Sequence, residues 1–233
     1  MTQLVFDLPH RTALGREDFL VAEGNEEAVA WLDKWPDWPH VGRLPAALVI
    51  HGPAGCGKTH LASVWQAVSA ARSIDAAAIM PDAVPELLRD ANAVVLDDLT
   101  ARINEHGLFH LLNLLGERGG SLLITAAEPP ARWAVALPDL KSRLSALPSV
   151  GLGVPDEALL AAVMVKLFAD RQLMVSQELV QFLLPRIERS FAAVRDIVDR
   201  LDRAALASRR NITVPLARSL LALQDEENDM EGN

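Results

Sequence analysis

Residues 52–59 read Gly-Pro-Ala-Gly-Cys-Gly-Lys-Thr, and they are the strongest indication of fold and function in the chain. An apolar run, Ala46–Ile50, precedes it, and a segment with helical character, His60–Trp65, follows it. The stretch fits G-x-x-x-x-G-K-[ST] at every position and lies between a strand and a helix, where that pattern forms a phosphate-binding loop. Glycines let the backbone wrap around phosphate oxygens, and the helix turns its positive end towards them. We therefore predict a nucleoside triphosphate site.

Each position of this loop receives a predicted role. Lys58 is expected to reach the outer phosphates, and Thr59 to provide the hydroxyl that such loops use to hold Mg²⁺. The alternative is a glycine-rich turn that binds nothing, which the complete match and its context disfavour. The predicted phosphate contacts in this region are Gly52, Pro53, Ala54, Gly55, Cys56, Gly57, Lys58, Thr59 and His60.

Composition limits the classes of function. The 233 residues carry a net charge of −9, which argues against a sequence-specific surface for duplex DNA. The single cysteine excludes an internal disulfide and fits a reducing compartment. No apolar run reaches the ~18 residues of a membrane span, so we expect no membrane association and a cytoplasmic location. Residues 225–233 contain five carboxylates and are predicted to be a disordered acidic tail.

Apolar segments alternate with helical ones up to about residue 154. Strands are predicted at 46–50, weakly near 76–80, at 93–96 and at 121–125, with helices at 26–35, from the loop to about 72, and at 105–118. This order predicts an α/β fold with a parallel sheet flanked by helices. From residue 155 only helices are predicted, at 157–171, 176–187, 190–208 and 215–223. The predicted domains are an arm at 1–14, an α/β base at 15–154, a helical lid at 155–224 and the tail.

A second set of polar residues follows two predicted strands. Asp97 and Asp98 end an apolar strand, at the edge of an open α/β sheet where ligands bind. Asp97 is predicted to hold the Mg²⁺ shell, and Asp98 to polarise the attacking water. Thr125 ends the next strand and is predicted to lie beside the γ-phosphate. The alternatives are an acidic turn for the two carboxylates and a β-branched strand end for Thr125.

Two arginines complete the candidate set. Arg143 follows Pro138 and precedes the last strand of the base, from where it could reach the γ-phosphate of a neighbouring subunit as an arginine finger. Arg195 opens a helix of the lid and could touch phosphates from above. The alternatives are a surface charge for Arg143 and a pair with Asp199, four residues on, for Arg195.

These motifs together resemble the AAA+ ATPases of the DnaA clade over about residues 15–222. The resemblance implies ADP or ATP with Mg²⁺, a Walker A motif at 52–59, a Walker B motif at 94–98, sensor 1 near Thr125, an arginine finger at Arg143 and sensor 2 at Arg195. The segment 19–25 is similar to the one that wraps the adenine in that family, which implies nucleotide contacts from Phe19 and Leu20.

Within the clade the chain resembles the Hda-type regulatory inactivators of DnaA. It shows no helix-turn-helix module, and only 37 residues separate Thr59 from Asp97, which leaves little room for the helix pair of initiators. The start of the chain is similar to the Q-L-x-φ-x-L peptide by which Hda-like proteins dock on the DNA polymerase sliding clamp. The resemblance thus implies DnaA and the clamp as partners and negative regulation of replication initiation. A homodimer is a separate option, because small domains that sandwich nucleotide can associate through the surfaces that meet a partner. The implied clamp-binding residues are Gln3, Leu4, Phe6 and Leu8.

One departure from the family concerns hydrolysis by the chain itself. The segment Ile124–Ala127 lacks the acidic residue that relatives carry near its third position. We therefore predict a weak intrinsic ATPase. Three other functions stay open at this point: a helicase-loader-type AAA+ ATPase, a P-loop kinase of a small molecule, and a nucleotide-locked scaffold without turnover.

Overall fold

The computed structural model describes residues 20–22, 24–99, 103–208 and 210–231, with side chains up to Ala222. The described residues form two compact units, one up to Val154 and one from Pro155. Five residues with predicted roles lie outside the described part of the chain. They are Phe19 and the clamp-binding residues Gln3, Leu4, Phe6 and Leu8.

The described part of the first unit contains a five-stranded parallel sheet, which confirms the predicted α/β fold. Its strands lie in the order β2-β3-β4-β1-β5, so β4 is central, and β1 lies between β4 and β5. The strands are β1 (Ala46–His51), β2 (Arg72–Ser73), β3 (Ala93–Leu99), β4 (Ser121–Ala126) and β5 (Ser149–Gly151).

Helices cover both faces of this sheet. Alternate residues of a strand point to opposite faces. Accordingly Leu48 and Ile50 pack with α1 and α2, whereas Ala47 and Val49 pack with α3, α4 and α5. Burial on both faces explains why β1, β3 and β4 each contain a continuous buried apolar run. The helices are α1 (Glu26–Asp33), α2 (Lys58–Ser69), α3 (Val84–Leu88), α4 (Glu105–Glu117) and α5 (Pro138–Ala146).

The second unit is helical throughout its described residues. Its helices are α6 (Glu157–Asp170), α7 (Gln177–Leu183), α8 (Phe191–Ser208) and α9 (Val214–Glu231). Asp156 and Ser176 cap α6 and α7 by accepting a hydrogen bond from the backbone N–H three residues on. The apolar stripe predicted on α8 is buried, as its spacing requires. Its members are Val194, Ile197, Val198, Leu201 and Ala205.

Two local predictions differ from the structure, and the segment of Arg143, for which no element was predicted, forms a helix. The weak strand expected near 76–80 lies earlier, at Arg72–Ser73, because the Asp75 side chain accepts from the N–H of Ala77 and starts a 3₁₀ turn. The segment of Arg143 forms α5, which begins with Pro138 at its first position. The predicted disordered tail instead continues α9 to Glu231, because residues 216–231 contain no glycine or proline and are rich in good helix formers.

No helix among the described residues is long and apolar enough to cross a bilayer.

Candidate nucleotide site

The phosphate loop connects β1 to α2 through backbone geometry that requires glycine. A Cβ on Gly52 would lie 2.5 Å from the carbonyl oxygen of Leu152, a contact that real side chains do not make. Gly55 and Gly57 have φ angles of 72° and 105°, in the left-handed region. The glycines of the motif therefore serve two needs, a close approach of two backbone segments and a tight turn.

This turn leaves backbone N–H groups for an anion. Gly57 caps α2, and the helical ladder starts only with the N–H of Leu61, which donates to the carbonyl of Gly57. Among the described residues, the N–H groups of Gly55, Gly57 and Thr59 donate to no backbone carbonyl. A helix start with such donors is a binding site for phosphate.

The Lys58 side chain is folded into the loop. Its ammonium group donates to the carbonyl oxygens of Gly52 and Pro53, each at 2.8 Å, and the residue is buried. An ammonium has three N–H donors, so one remains for a phosphate oxygen. The loop thus holds the charge of Lys58 at the place where a polyphosphate would lie.

The other loop residues differ in exposure. Cys56 is buried, and burial raises the pKa of its thiol, although the nearby Lys58 acts in the opposite direction. A neutral, buried thiol acts here as a small packing group. Pro53 and Ala54 are exposed at the tip of the loop, and Thr59 and His60 are exposed on the first turn of α2.

The carboxylates of β3 lie at an irregularity of the sheet. Leu96 pairs with Ile124 and Leu99 with Ala126, so Asp97 and Asp98 together oppose Thr125. The extra residue forms a β-bulge, a feature that is frequent next to functional sites. Asp98 takes a left-handed φ of 53° and is exposed, whereas Asp97 is half-buried.

The Thr125 hydroxyl fixes this bulge. It donates to Asp97 Oδ1 at 2.5 Å and accepts from the N–H of Asp98 at 2.7 Å, and its side chain is fully buried. The sequence prediction placed this hydroxyl beside a γ-phosphate, where it would orient water. In the structure it holds the first carboxylate and the backbone of the second.

A magnesium ion fits the donors at this edge. Mg²⁺ prefers oxygen ligands, and the Thr59 hydroxyl and the Asp97 carboxylate are of that kind. Asp97 Oδ1 is engaged by Thr125, while Oδ2 makes no hydrogen bond with the described residues. The free oxygen and the exposed hydroxyl are the two groups that would hold the ion, directly or through water.

The segment predicted to contact adenine is fastened by Asn25. The Asn25 side chain accepts from the N–H of Ala22 at 2.9 Å and donates to the carbonyl of Leu20 at 3.1 Å. Asn25 is 9% exposed, and Leu20 is half-buried. These bonds fix the backbone of residues 20–22, in front of α1.

Arg143 is held on α4 and is not a loose surface charge. Its guanidinium donates to Asn113 Oδ1 and lies over the Phe109 ring, 4.3 Å from the centroid. Phe109 and Asn113 are four residues apart and so share one face of α4. Arg143 itself lies on α5, whose residues Leu140 and Leu144 are buried on the sheet face opposite α2.

Arg195 lies on α8 of the second unit and is exposed. The alternative pair with Asp199 is not formed, because Asp199 pairs with Arg171. Arg195 makes no ion pair or hydrogen bond with another side chain in the described parts of the chain. Its guanidinium is therefore available for a ligand.

Sequence reasoning missed three residues that hold candidate site segments in place. Phe109 and Asn113 contact Arg143 of a different helix, so only their helical spacing was visible beforehand. Asn25 makes local side-chain hydrogen bonds with the backbone of Leu20 and Ala22, which its position alone did not predict.

Three comparisons identify the relatives of the chain. The family model described as "Hda, lid domain" matches residues 156–221. An uncharacterized protein of Haemophilus influenzae is 30% identical over 187 residues, which are 75% of this chain and 80% of the relative.

Solved structures of a replication initiator share the fold. Domain III of the Thermotoga maritima initiation protein DnaA superposes with a TM-score of 0.74 at 21% identity and covers 88% of this chain and 94% of that one. AMPPCP-bound DnaA from Aquifex aeolicus gives a TM-score of 0.64 at 17% identity, over 84% of this chain and 66% of that one. Together, the lid match and these structures support an Hda-type, DnaA-related AAA+ protein: residues 156–221 match the Hda lid domain, and the chain shares its fold with DnaA domain III.

Proposed function

We propose that this protein is a regulator of replication initiation that binds ADP or ATP with Mg²⁺ and stimulates hydrolysis of ATP bound to DnaA. Arg143 acts as the arginine finger, and residues 3–8 dock the protein on the sliding clamp. Both partners belong to the cytoplasm. The family assignment supports a DnaA-related replication regulator, and it leaves the small-molecule kinase without support.

The placement of Arg143 carries this proposal. Its guanidinium is fixed by Phe109 and Asn113 of α4, while the phosphate loop leads into α2 on the other face of the sheet. A guanidinium has five N–H donors, and the amide of Asn113 uses one of them. The remaining donors can meet phosphate oxygens of another molecule. An arginine that is held in place before the partner arrives loses less side-chain freedom on binding.

Two features support a weak ATPase in the chain's own site. The Thr125 hydroxyl donates to Asp97 and accepts from Asp98, and Ala126, at the third position of the segment, offers no polar group for a water. A group that orients the nucleophilic water is a recurring part of these enzymes. The bound nucleotide then acts mainly as a structural ligand, and Arg195 keeps its proposed role as a phosphate contact.

Clamp docking follows from the resemblance of residues 3–8 to the family peptide. An extended segment can place Leu4, Phe6 or Leu8 in an apolar pocket while the amide of Gln3 sets the register. This step would bring the protein to clamps loaded on DNA and raise its local concentration near DnaA.

The test is turnover of ATP bound to DnaA, measured with this protein, clamp and DNA together. The wild-type chain should raise the hydrolysis rate only when clamp on DNA is present. Deletion of residues 2–8 should abolish clamp binding in a pull-down and remove the stimulation, while nucleotide binding by the deleted chain stays normal. Stimulation that is absent in the complete mixture would refute the proposed function, and clamp binding by the deleted chain would refute the docking step alone.

A further inference from the structure

Glu105, the first residue of α4, reaches the segment that leads into α5. Its two carboxylate oxygens accept hydrogen bonds from consecutive backbone N–H groups, Oε1 from Ala136 at 2.8 Å and Oε2 from Leu137 at 2.6 Å. The partners are 31 and 32 residues away in sequence. This contact therefore links two elements of the tertiary fold, and it is not a local helix cap.

The negative charge of the carboxylate strengthens this contact. Hydrogen bonds from N–H donors to a carboxylate are shorter and stronger than bonds between neutral groups. The two N–H groups hold the pKa of Glu105 below its ordinary value of 4.5, and His106 adds to the effect. Glu105 is thus fully ionised near neutral pH, as a double acceptor must be.

The bound backbone is the entrance to the helix that carries Arg143. Leu137 is the residue that precedes the first turn of α5, where no side chain caps the helix, and Pro138 brings no N–H of its own. Among the described residues, Glu105 is the side chain that accepts from the backbone at this entrance. The carboxylate thereby fixes where α5 begins.

A second contact between α4 and α5 involves Arg143. Glu105 fixes the start of α5, and eight residues later Asn113 accepts from the Arg143 guanidinium, with Phe109 beneath it. Both contacts join α4 to α5, and they follow in the same order along the two helices. Next to these contacts, Leu140 and Leu144 of α5 are buried. Apolar contacts bind the helix without fixing its rotation or its register, because they have little directionality.

We propose that Glu105 is a positioning residue for Arg143: its carboxylate sets the start of α5 so that the guanidinium lies on Phe109 and Asn113. This inference rests on the proposed function for its consequence in hydrolysis, but the placement of Arg143 is open to a test of its own. Misplacement of a catalytic group by about 1 Å can lower a rate roughly 100-fold. Loss of this carboxylate should therefore lower the rate of DnaA-bound ATP hydrolysis by displacing Arg143.

The decisive variant is Glu105→Gln. A Gln side chain keeps one carbonyl acceptor, but its NH₂ group would face a second N–H donor and repel it. Glu105→Asp keeps the charge on a shorter side chain and serves as the conservative variant. Glu117→Gln, at the exposed end of the same helix, is the matched control because it removes the same charge from α4 without touching α5.

The first measurement is the NMR resonance of the Arg143 Nε–H group, assigned by its loss in Arg143→Lys. The Phe109 ring below the guanidinium shifts this resonance, so Phe109→Leu gives its position without the ring. Glu105→Gln should move the resonance towards its position in Phe109→Leu, and Glu105→Asp should move it less. Glu117→Gln should leave it unchanged.

The second measurement is stimulation of DnaA-bound ATP hydrolysis. Glu105→Gln should lower the maximal rate roughly 10- to 100-fold, while the protein concentration that gives half the maximal effect changes less than twofold. An unchanged Arg143 resonance in folded Glu105→Gln and Glu105→Asp would overturn the inference, and so would an unchanged maximal rate. A wild-type protein without stimulation would refute the proposed function, and the resonance would still decide the placement of Arg143.

Discussion

The phosphate loop and the Arg143 cluster hold their charged groups in opposite ways. In the loop, Lys58 is buried and its ammonium donates to carbonyls of the same turn. In the cluster, Arg143 is half-exposed and is held by an aromatic ring and an amide of another helix. The first charge serves a ligand that enters the chain's own loop. The second lies on the other face of the sheet, where we propose that it meets another molecule.

Arg143→Ala should separate the functions of the two sites most clearly. The stimulated hydrolysis of DnaA-bound ATP should fall on the order of 1,000-fold, the lower end of the range for arginine fingers. Nucleotide affinity of the variant chain should stay unchanged, because Arg143 packs on α4 and not on the loop. Lys141→Ala, an exposed cation on the same helix, is the control for charge. Equal rates for the two variants would remove Arg143 from the mechanism.

The reciprocal change is Lys58→Ala. It removes a buried ammonium and its donor to phosphate, so the affinity for ADP should fall roughly 100-fold, as expected for a hydrogen bond between charged groups. Titration with a fluorescent ADP analogue measures the loss. The Arg143 resonance should be unaffected, since the loop and the cluster lie on different elements. An unchanged affinity would mean that nucleotide does not bind at residues 52–59.

Thr125→Val tests the support of the metal site. The variant removes the bond to Asp97, and the gain in nucleotide affinity on adding Mg²⁺ should shrink roughly 10-fold, the usual cost of losing an outer-shell partner. Affinity in EDTA should stay the same. Thr125→Ser keeps the hydroxyl and should restore the Mg²⁺ effect. If valine leaves the Mg²⁺ effect intact, Thr125 does not position Asp97 for a metal.

The smallest predicted effect is the pH dependence of the contribution that Glu105 makes to the free energy of unfolding. Its folded-state pKa lies below the ordinary value of 4.5, so its contribution to stability is complete above about pH 4.5 and is lost as pH falls through the folded pKa. Between about pH 5 and pH 3 the wild type should therefore lose more free energy of unfolding than Glu105→Gln. Urea unfolding at several pH values measures the difference. Parallel curves would show that the carboxylate has no special partner in the fold.

The sequence was most informative where a function depends on contiguous residues. The loop at 52–59 and the strand that ends in Asp97 were recognisable because local spacing determines their geometry. The contacts of Thr125 with Asp97, of Glu105 with Leu137 and of Arg143 with Asn113 were not. They join residues 28, 32 and 30 positions apart. Their meeting depends on how strands and helices pack, and no pattern within one segment encodes it.

The same reasoning explains the errors of secondary structure. Near residue 76, apolar side chains predicted a strand, but a single local bond from Ala77 to Asp75 favours a turn. In α9, the acidic residues suggested disorder by their charge, whereas their helix propensity extends the helix to Glu231. In both places a backbone preference outweighed the compositional signal.

We propose that the nucleotide of this chain stays bound without rapid hydrolysis, while the ATP of DnaA is hydrolysed. The most direct measurement uses γ-labelled ATP loaded on only one of the two proteins before they are mixed with clamp and DNA. We predict that labelled phosphate is released rapidly from ATP bound to DnaA and that this release requires Arg143. Labelled phosphate should be released only slowly from ATP bound to this chain. Rapid release from this chain's own ATP, with no Arg143-dependent release from DnaA, would contradict the account.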